Sequence, residues 1–357
     1  MIAGKPNVLV AGAGVAGSLL ARELAREGFS VALIDVATSY RKACGDAVAL
    51  REGLLGLLER LGVVVTLVNS FEIRIHGDVV YEESFSKPKW AIVDKPGLVA
   101  SLREEAEAEE ALFLRGMWKS QRGTVTVDAR GPYANKPESR VFVYRVISKA
   151  RWDPGKALLD FDLKSRGFYW IFPADDDGKT VNIGAGFETV DAATYLREMV
   201  KNYSYKLLGT FEPLDERGAP VTVKGPIVTR EGDILKVGEA AGLVVSTAGE
   251  GNRPAILSAM SLAKAINSSY PNLREIEERY RSGISRVISE VLVSRKLLEV
   301  IEKAGPARGK TLMKSLPESF WRLYLGSAVT TRHVVLTMLR RPITGLRLIR
   351  SLLSSLA

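Results

Sequence analysis

Gly12, Gly14 and Gly17 stand in G-x-G-x-x-G spacing within VLVAGAGVAGSLLARELAREGFSVALID, and Asp35 closes that segment. Residues of these types at this spacing can hold a pyrophosphate. Gly12 permits a tight turn, Gly14 lets a phosphate approach the backbone, and Gly17 lets a helix pack close on its strand. The helix start then offers N–H groups and a partial positive charge, and Asp35 is placed to accept hydrogen bonds from ribose hydroxyls. A second set, Gly238, Glu239 and Gly242 followed by Gly249-Glu250-Gly251-Asn252, lies more than two hundred residues downstream. Between them Cys44, the only cysteine, sits in a turn with Gly45 between charged Lys42 and Asp46. One cysteine rules out an intramolecular disulfide, a cysteine zinc cluster and a cysteine-ligated iron–sulfur centre. With His76 and His333 as the only imidazoles, a histidine triad or a metal site is not expected.

The elements that must position these groups follow from the hydrophobic pattern. Asn7 to Ala11 reads as a short buried parallel strand, Val15 to Glu27 as a helix and Ser30 to Ile34 as a second strand. Ile234 to Val237 is another such strand, and Ala255 to Ile266 is a small-residue helix. In flavoproteins an acid just after such a strand, here Glu239, binds the ribityl or pyrophosphate region. The next helix points its N-terminus at the flavin O2 edge, where its dipole stabilises negative charge on the reduced ring. Either segment alone is ambiguous; together they imply one long dinucleotide held at both ends, FAD. Glu239 stands where aspartate is expected, and its extra methylene changes its reach. Between the segments, TVTVDARGPYA reads as a strand ending in a D-x-x-G turn, with Asp128 and Gly131 closing the FAD domain. No second G-x-G-x-x-G with a following acid occurs, so a resident NAD(P)H domain is not expected and electrons arrive from outside.

In chain order, GAGVAG, Cys44-Gly45-Asp46, DARG, FYWIFPADDDGKTVNIGAG, GEAAG and GEG resemble the geranylgeranyl reductase family. These are FAD proteins of the p-hydroxybenzoate hydroxylase superfamily that saturate isoprenoid double bonds. The resemblance runs from residue 7 to residue 266. It implies an α/β fold: a Rossmann-type FAD-binding domain, an inserted antiparallel-sheet substrate domain and a C-terminal helical region. To the contacts at Gly12, Gly14, Gly17, Asp35, Asp128, Gly131, Gly238, Glu239, Gly249, Gly251 and Asn252 it adds Ala16, Cys44, Gly45, Ala47 and Lys95. In the family the aromatic motif, here Phe168, Trp170, Phe172 and Pro173 with Gly184 and Gly186, lines the cavity beside the isoalloxazine ring. These six are therefore the expected substrate contacts. The implied substrate is an isoprenoid lipid or diphosphate, and the implied donor is reduced ferredoxin or an NAD(P)H-linked system. Four departures stand out: a slightly long loop between Pro173 and Gly184, Lys95 where relatives often carry an FAD-contacting arginine, Arg253 where a small or apolar residue is expected, and a shortened stretch from Glu109 to Asp128 that leaves the adenine-side contact unassigned.

Phe168, Trp170 and Phe172 alternate along a strand and so share one face. As residues they suit either a plain core or a flat wall for a polyprenyl chain, each Å² of apolar burial contributing roughly 25 cal/mol; the family order favours the wall. Cys44, taken alone, reads as a small buried hydrophobe, but in the resembling family its loop approaches flavin and substrate. Cys44 and Gly45 are thus the candidate catalytic residues. An isolated alkene must receive a hydride on one carbon and a proton on the other. An ordinary thiol is a feeble acid for that purpose, so three roles stay open for Cys44: orienting substrate, relaying a proton, or controlling flavin conformation. Two further functions share the glycine fingerprint, a flavin-dependent aromatic monooxygenase or halogenase and a non-catalytic prenyl carrier. His76, in the alternating FEIRIHGDVVYEE, reads as part of a half-exposed hairpin with a structural role.

Lys and Arg number 50 against 41 Asp and Glu, a net charge of +9. An anionic membrane surface, solubility or nucleic acid could each account for that excess. No nucleic-acid motif accompanies it, so no nucleic acid partner is expected. No apolar run reaches the roughly 18 residues of a membrane span, and the first residues run straight into a strand without a signal peptide. A cytoplasmic protein is expected. The FAD domain should be discontinuous, over 1–72, 94–147 and 225–270, with the substrate sheet from 73–93 and 148–224. Helices should fill 271–357, amphipathic from Leu273 to Ala304. The final stretch carries Arg332, Arg340, Arg341, Arg347 and Arg350 without an acid, while Leu346, Ile349, Leu353 and Leu356 follow helical spacing. That pattern fits a packed terminal helix or an interfacial helix on anionic lipid. Peripheral contact with the inner face of the membrane is the favoured reading.

Overall fold

The computed structural model describes residues 6–326 apart from 52 and 191, together with 329 and 333. In chain order the elements begin with β1 (Val8–Ala11), α1 (Val15–Arg26), β2 (Val31–Asp35), β3 (Ala47–Ala49), α2 (Leu54–Arg60) and β4 (Val64–Val68). The strands β5 (Ser70–Ile75), β6 (Asp78–Ser84) and β7 (Trp90–Val93) precede α3 (Lys95–Ala108), β8 (Leu112–Arg115) and β9 (Val125–Asp128). Next come β10 (Arg140–Lys149), β11 (Lys156–Asp162), β12 (Gly167–Pro173), β13 (Thr180–Phe187), α4 (Ala193–Leu208) and β14 (Pro213–Thr222). The remainder holds β15 (Arg230–Glu231), β16 (Ile234–Lys236), α5 (Asn252–Ser269), α6 (Leu273–Gly283), α7 (Ser285–Lys314, broken at the left-handed Gly305) and α8 (Glu318–Leu325).

The chain forms two compact units. The first comprises residues up to 41, 94–140 and 222–291. Its sheet runs β15-β16-β9-β1-β2-β8, parallel throughout except at β15. Val8, Leu9, Val10 and Ala11 are each at most 1% exposed, as a parallel strand covered on both faces requires. The helix α1 packs on α3 and α5, and α6 packs on α5. This is the expected Rossmann-type arrangement.

The second unit comprises 42–93, 141–221 and the residues from 292. Among the described residues its larger sheet runs β14-β10-β13-β12-β11-β5-β6, beside a small sheet β3-β7-β4. The larger sheet is mostly antiparallel, as expected, but β5 and β11 pair in parallel. These two strands come from distant segments, so no tight turn dictates their direction. One face of the sheet packs under α4 through Val146, Ile171, Ile183, Leu196 and Val200. The other gathers Phe71, Trp170 and Phe172 with Met313, Phe320, Trp321 and Leu325 of the C-terminal helices. The hairpin β5–β6 turns through His76 (φ 53°) and Gly77 (φ 84°), both left-handed as a type I′ turn demands.

The two units divide the chain differently from the sequence reading in several places, with 141–147 in the second unit and 222–224 in the first. Residues 42–72 pack in the second unit, because β3 and β4 pair with β7 and β5 pairs with β11 rather than with the parallel sheet. Residues 271–291 belong to the first, since α6 lies against α5. Within the stretch from Pro173 to Gly184, β13 starts at Thr180 and pairs Val181 with Pro173, leaving 174–179 as the connection. The basic tail, from Arg332 through Arg340, Arg341 and Arg347 to Arg350 with its leucines, lies outside the described residues. Among the described residues no helix is long and apolar enough to cross a membrane.

Candidate active site

In the first unit the three glycines of the opening motif have different surroundings. A Cβ at Gly12 (φ 102°) would meet the Ala129 carbonyl oxygen at 2.5 Å, and one at Gly17 would meet the Gly12 carbonyl oxygen at 1.9 Å. Both positions are therefore closed by the protein itself. Gly14 is not: a Cβ there would meet only the Tyr40 ring, at 3.6 Å. The turn thus presents open backbone at the one glycine expected to face a pyrophosphate. Gly14 also caps α1, and no side chain fills the cap, so the first-turn N–H groups can serve an anion.

Asp35 ends β2 with both carboxylate oxygens in hydrogen bonds, from Ala13 N–H at 2.6 Å and from Ala37 N–H at 2.9 Å. The two glycine segments meet at Ala16, whose methyl lies 2.9 Å from where a Gly238 Cβ would stand. Gly238 (φ 60°) donates its N–H to Ser258 Oγ at 3.0 Å, fixing it to α5. That helix begins at Asn252, behind Gly249 and Gly251, again without a side-chain cap. Asp128, 2% exposed, accepts the Arg130 guanidinium at 2.7 Å. Gly131 follows (φ 62°), with its Cβ direction 3.7 Å from Glu239 Oε2. The other Glu239 oxygen accepts Thr222 N–H at 2.7 Å, so the longer acid is anchored to backbone. Lys95, 2% exposed, holds its ammonium 5.3 Å over the Tyr40 ring that borders Gly14.

Arg253 corrects an expectation. It is 0% exposed and looked out of place, yet it donates to Glu290 of α7 at 2.6 Å and lies 3.4 Å from Glu250. Burial pushes the Glu290 carboxyl up, against the pull of Arg253. The sequence reading missed Arg103 altogether. Its guanidinium donates to the Ala13 carbonyl at 2.5 Å and the Thr38 carbonyl at 2.9 Å, bridging the two loops that hold Asp35. Burial lowers its pKa, while the charge of Asp35 works the other way. No local signal distinguishes it within LREEAEAEE.

In the second unit, Phe168 lies opposite Gly186, Trp170 opposite Gly184, and Phe172 opposite Asn182. A Cβ at Gly184 would sit 2.2 Å from the Trp170 ring, and one at Gly186 would sit 2.6 Å from Val143 Cγ1. These glycines make room for neighbours. Pro173 ends β12, and Ala47 opens β3 with its backbone paired to Ile92. Gly45 lies flat on the aromatic face: its Cβ would be 2.5 Å from Phe172 and 3.4 Å from the Trp170 indole nitrogen. Cys44 is half-buried beside it, and the Asp46 carbonyl accepts Val93 N–H at 3.0 Å. The Cys44 turn and the aromatic strand are one construction.

An open glycine turn, two helix starts without side-chain caps and an anchored carboxylate at the end of β2 fit an FAD. A model of the FAD binding domain matches residues 5–126. A geranylgeranyl diphosphate reductase of Rhodobacter capsulatus is 29% identical over 297 residues, 69% of this chain and 71% of the relative. A digeranylgeranylglycerophospholipid reductase of Sulfolobus acidocaldarius is 24% identical over 325 residues, 74% of this chain and 70% of the relative. The fold is that of a geranylgeranyl bacteriochlorophyll reductase-like protein from Thermoplasma acidophilum, with a TM-score of 0.75 at 15% identity, covering 97% of this chain and 99% of that one. The chain is an FAD-dependent oxidoreductase. Within that class its sequence is similar to the two geranylgeranyl reductases, in keeping with the resemblance carried by the order of its motifs.

Proposed function

We propose that this flavoprotein saturates carbon–carbon double bonds of geranylgeranyl chains carried on a phospholipid or diphosphate head group. The observation that carries this reading is the contact of Gly45 with Phe172 and Trp170: the candidate catalytic turn rests on the face assigned to the chain. Reduced FAD, when bound, supplies the hydride for one alkene carbon. The chain does the rest. The open turn at Gly14, the Asp35 carboxylate and the start of α1 hold the adenosine and pyrophosphate end, and the start of α5 favours negative charge on the reduced ring. Phe168, the half-buried member of the aromatic face, meets isoprene units by apolar burial, while Trp170 and Phe172, packed in the core, back it and keep water from the reacting carbons. Cys44 orients the alkene or passes a proton to its second carbon. Electrons come from an external donor, reduced ferredoxin or an NAD(P)H-linked system. The basic C-terminal segment brings the protein to the cytoplasmic membrane surface where such lipids reside.

The test is anaerobic reduction with dithionite, followed by addition of a geranylgeranyl phospholipid or of geranylgeranyl diphosphate. Flavin reoxidation with a product two mass units heavier per bond supports the reading, and the faster head group names the substrate. Reduced flavin that ignores both lipids, but hydroxylates a phenol once oxygen is admitted, overturns it in favour of a monooxygenase.

A further inference from the structure

The side chain of Asn182, on β13, holds the Cys44-Gly45-Asp46 turn at two points. Asn182 is 1% exposed and lies between Ile147 and Phe172 in the interior of the sheet. Its Oδ1 accepts the Trp170 indole N–H at 2.9 Å. Its Nδ2 donates to the Cys44 carbonyl at 3.0 Å and to the Asp46 carboxylate at 3.2 Å. Chemistry alone sets the orientation of this amide. An indole N–H can only donate, and a carbonyl and a carboxylate can only accept, so a flipped amide would oppose all three neighbours. Asp46 adopts a left-handed φ of 58°, a conformation aspartate tolerates better than most residues with a side chain, and the Asn182 amide meets its carboxylate there. The anchor itself is rigid, since both strands beside it are hydrogen-bonded along their length.

We propose that Asn182 is the positioning residue of the reaction: it locks the Cys44 turn to the aromatic strand, so the thiol and the chain-binding face keep one fixed relation. The catalytic meaning of this lock rests on the proposed function; the lock itself does not. Because Cys44 is the only cysteine, iodoacetamide alkylation of the FAD-loaded full-length protein reads the turn alone. Asn182→Asp is isosteric but replaces the donor with a second carboxylate facing Asp46. Losing both donated hydrogen bonds should loosen the turn and alkylate Cys44 about tenfold faster. Turnover of a geranylgeranyl lipid should fall about tenfold with KM changed less than about twofold, because the loss is one of alignment. Adding Asp46→Asn restores a donor opposite the new carboxylate but not the bond to the Cys44 carbonyl, and alkylation should fall back part of the way, to a rate between the single variant and the parent. Volume is constant through this series, so a side chain that merely fills space would show neither effect. Trp170→Phe, which removes the N–H that orients the amide together with part of the ring, covers the case in which Asn182→Asp does not fold; alkylation about threefold faster is expected.

Parent-like alkylation in Asn182→Asp, a double variant as fast as the single one, or parent-like alkylation in Trp170→Phe where Asn182→Asp does not fold would overturn the lock. Faster alkylation with unchanged turnover would overturn its part in the reaction. The expected alkylation pattern in a protein that reduces no prenyl lipid would sink the proposed substrate and leave the lock standing.

Discussion

Gly14 and Gly17 lie three residues apart in one motif, and the same substitution should have opposite consequences at each. At Gly17, alanine would gain about 1 kcal/mol of helix propensity. Its methyl would, however, stand 1.9 Å from the Gly12 carbonyl oxygen and 3.2 Å from the Ala129 methyl. Overpacking of this kind costs about 1–3 kcal/mol, and backbone cannot give way as a flexible side chain can. The apoprotein should therefore melt lower, by roughly 2–4 °C for each kcal/mol in a unit of this size. At Gly14 the backbone (φ −80°) is already acceptable to any residue, and a methyl would touch only the Tyr40 ring at 3.6 Å. Alanine there restricts the unfolded chain and should leave the apoprotein unchanged or more stable by up to about 1 kcal/mol. The methyl instead fills the space expected for the pyrophosphate. A clash of about 1–3 kcal/mol carried by the ligand weakens FAD binding roughly 5- to 150-fold. Thermal unfolding of FAD-stripped protein, paired with FAD titration by flavin fluorescence, separates the two. A Gly14→Ala apoprotein as destabilised as Gly17→Ala, or one that binds FAD like the parent, would refute the division of labour.

Other outcomes follow from the same geometry. Cys44→Ser should lower prenyl turnover at least about tenfold with FAD affinity intact; unchanged turnover would remove Cys44 from catalysis. Arg103→Met removes the two charged hydrogen bonds that bridge the loops around Asp35. FAD affinity should fall about tenfold or more, and parent-like titration curves would show that the bridge is dispensable. Asp78 binds Lys310 and Lys314, which pull its pKa from 3.8 down to about 2. A depressed carboxylate contributes stability that is fully present above its ordinary pKa and is lost as pH falls through the folded one. The small melting-temperature advantage of the parent over Asp78→Asn should thus be constant above about pH 5 and close between about pH 4 and pH 2. An advantage that persists at the acid end would exclude this pair of contacts as its source.

The parallel sheet and the first glycine turn were legible in the sequence because each residue there answers a local demand. Gly12 needs a left-handed φ, Gly17 needs an absent side chain, and the strands need unbroken apolar runs. The aromatic strand was legible for the same reason, through its alternation. What escaped depends on partners far along the chain. The importance of Asn182 comes from strand register, which sets it against Phe172 and beneath a turn at residue 44; nothing in TVNIG marks it. Arg253 looked misplaced only because its balancing Glu290 sits on another helix. Residues 42–72, read with the FAD-binding domain, pack in the second compact unit, because short strands do not announce which edge they will join. Arg103 is one cation in an acidic helix until Ala13 and Thr38 are brought to it.

Hydrogen exchange measured with and without FAD tests most directly whether two segments more than two hundred residues apart clasp one cofactor. Slowed exchange is expected on FAD addition both at residues 12–18, around the first glycine turn, and at 249–255, around the start of α5. Protection confined to the first segment, with the second exchanging at its apoprotein rate, would contradict a single dinucleotide held at both ends.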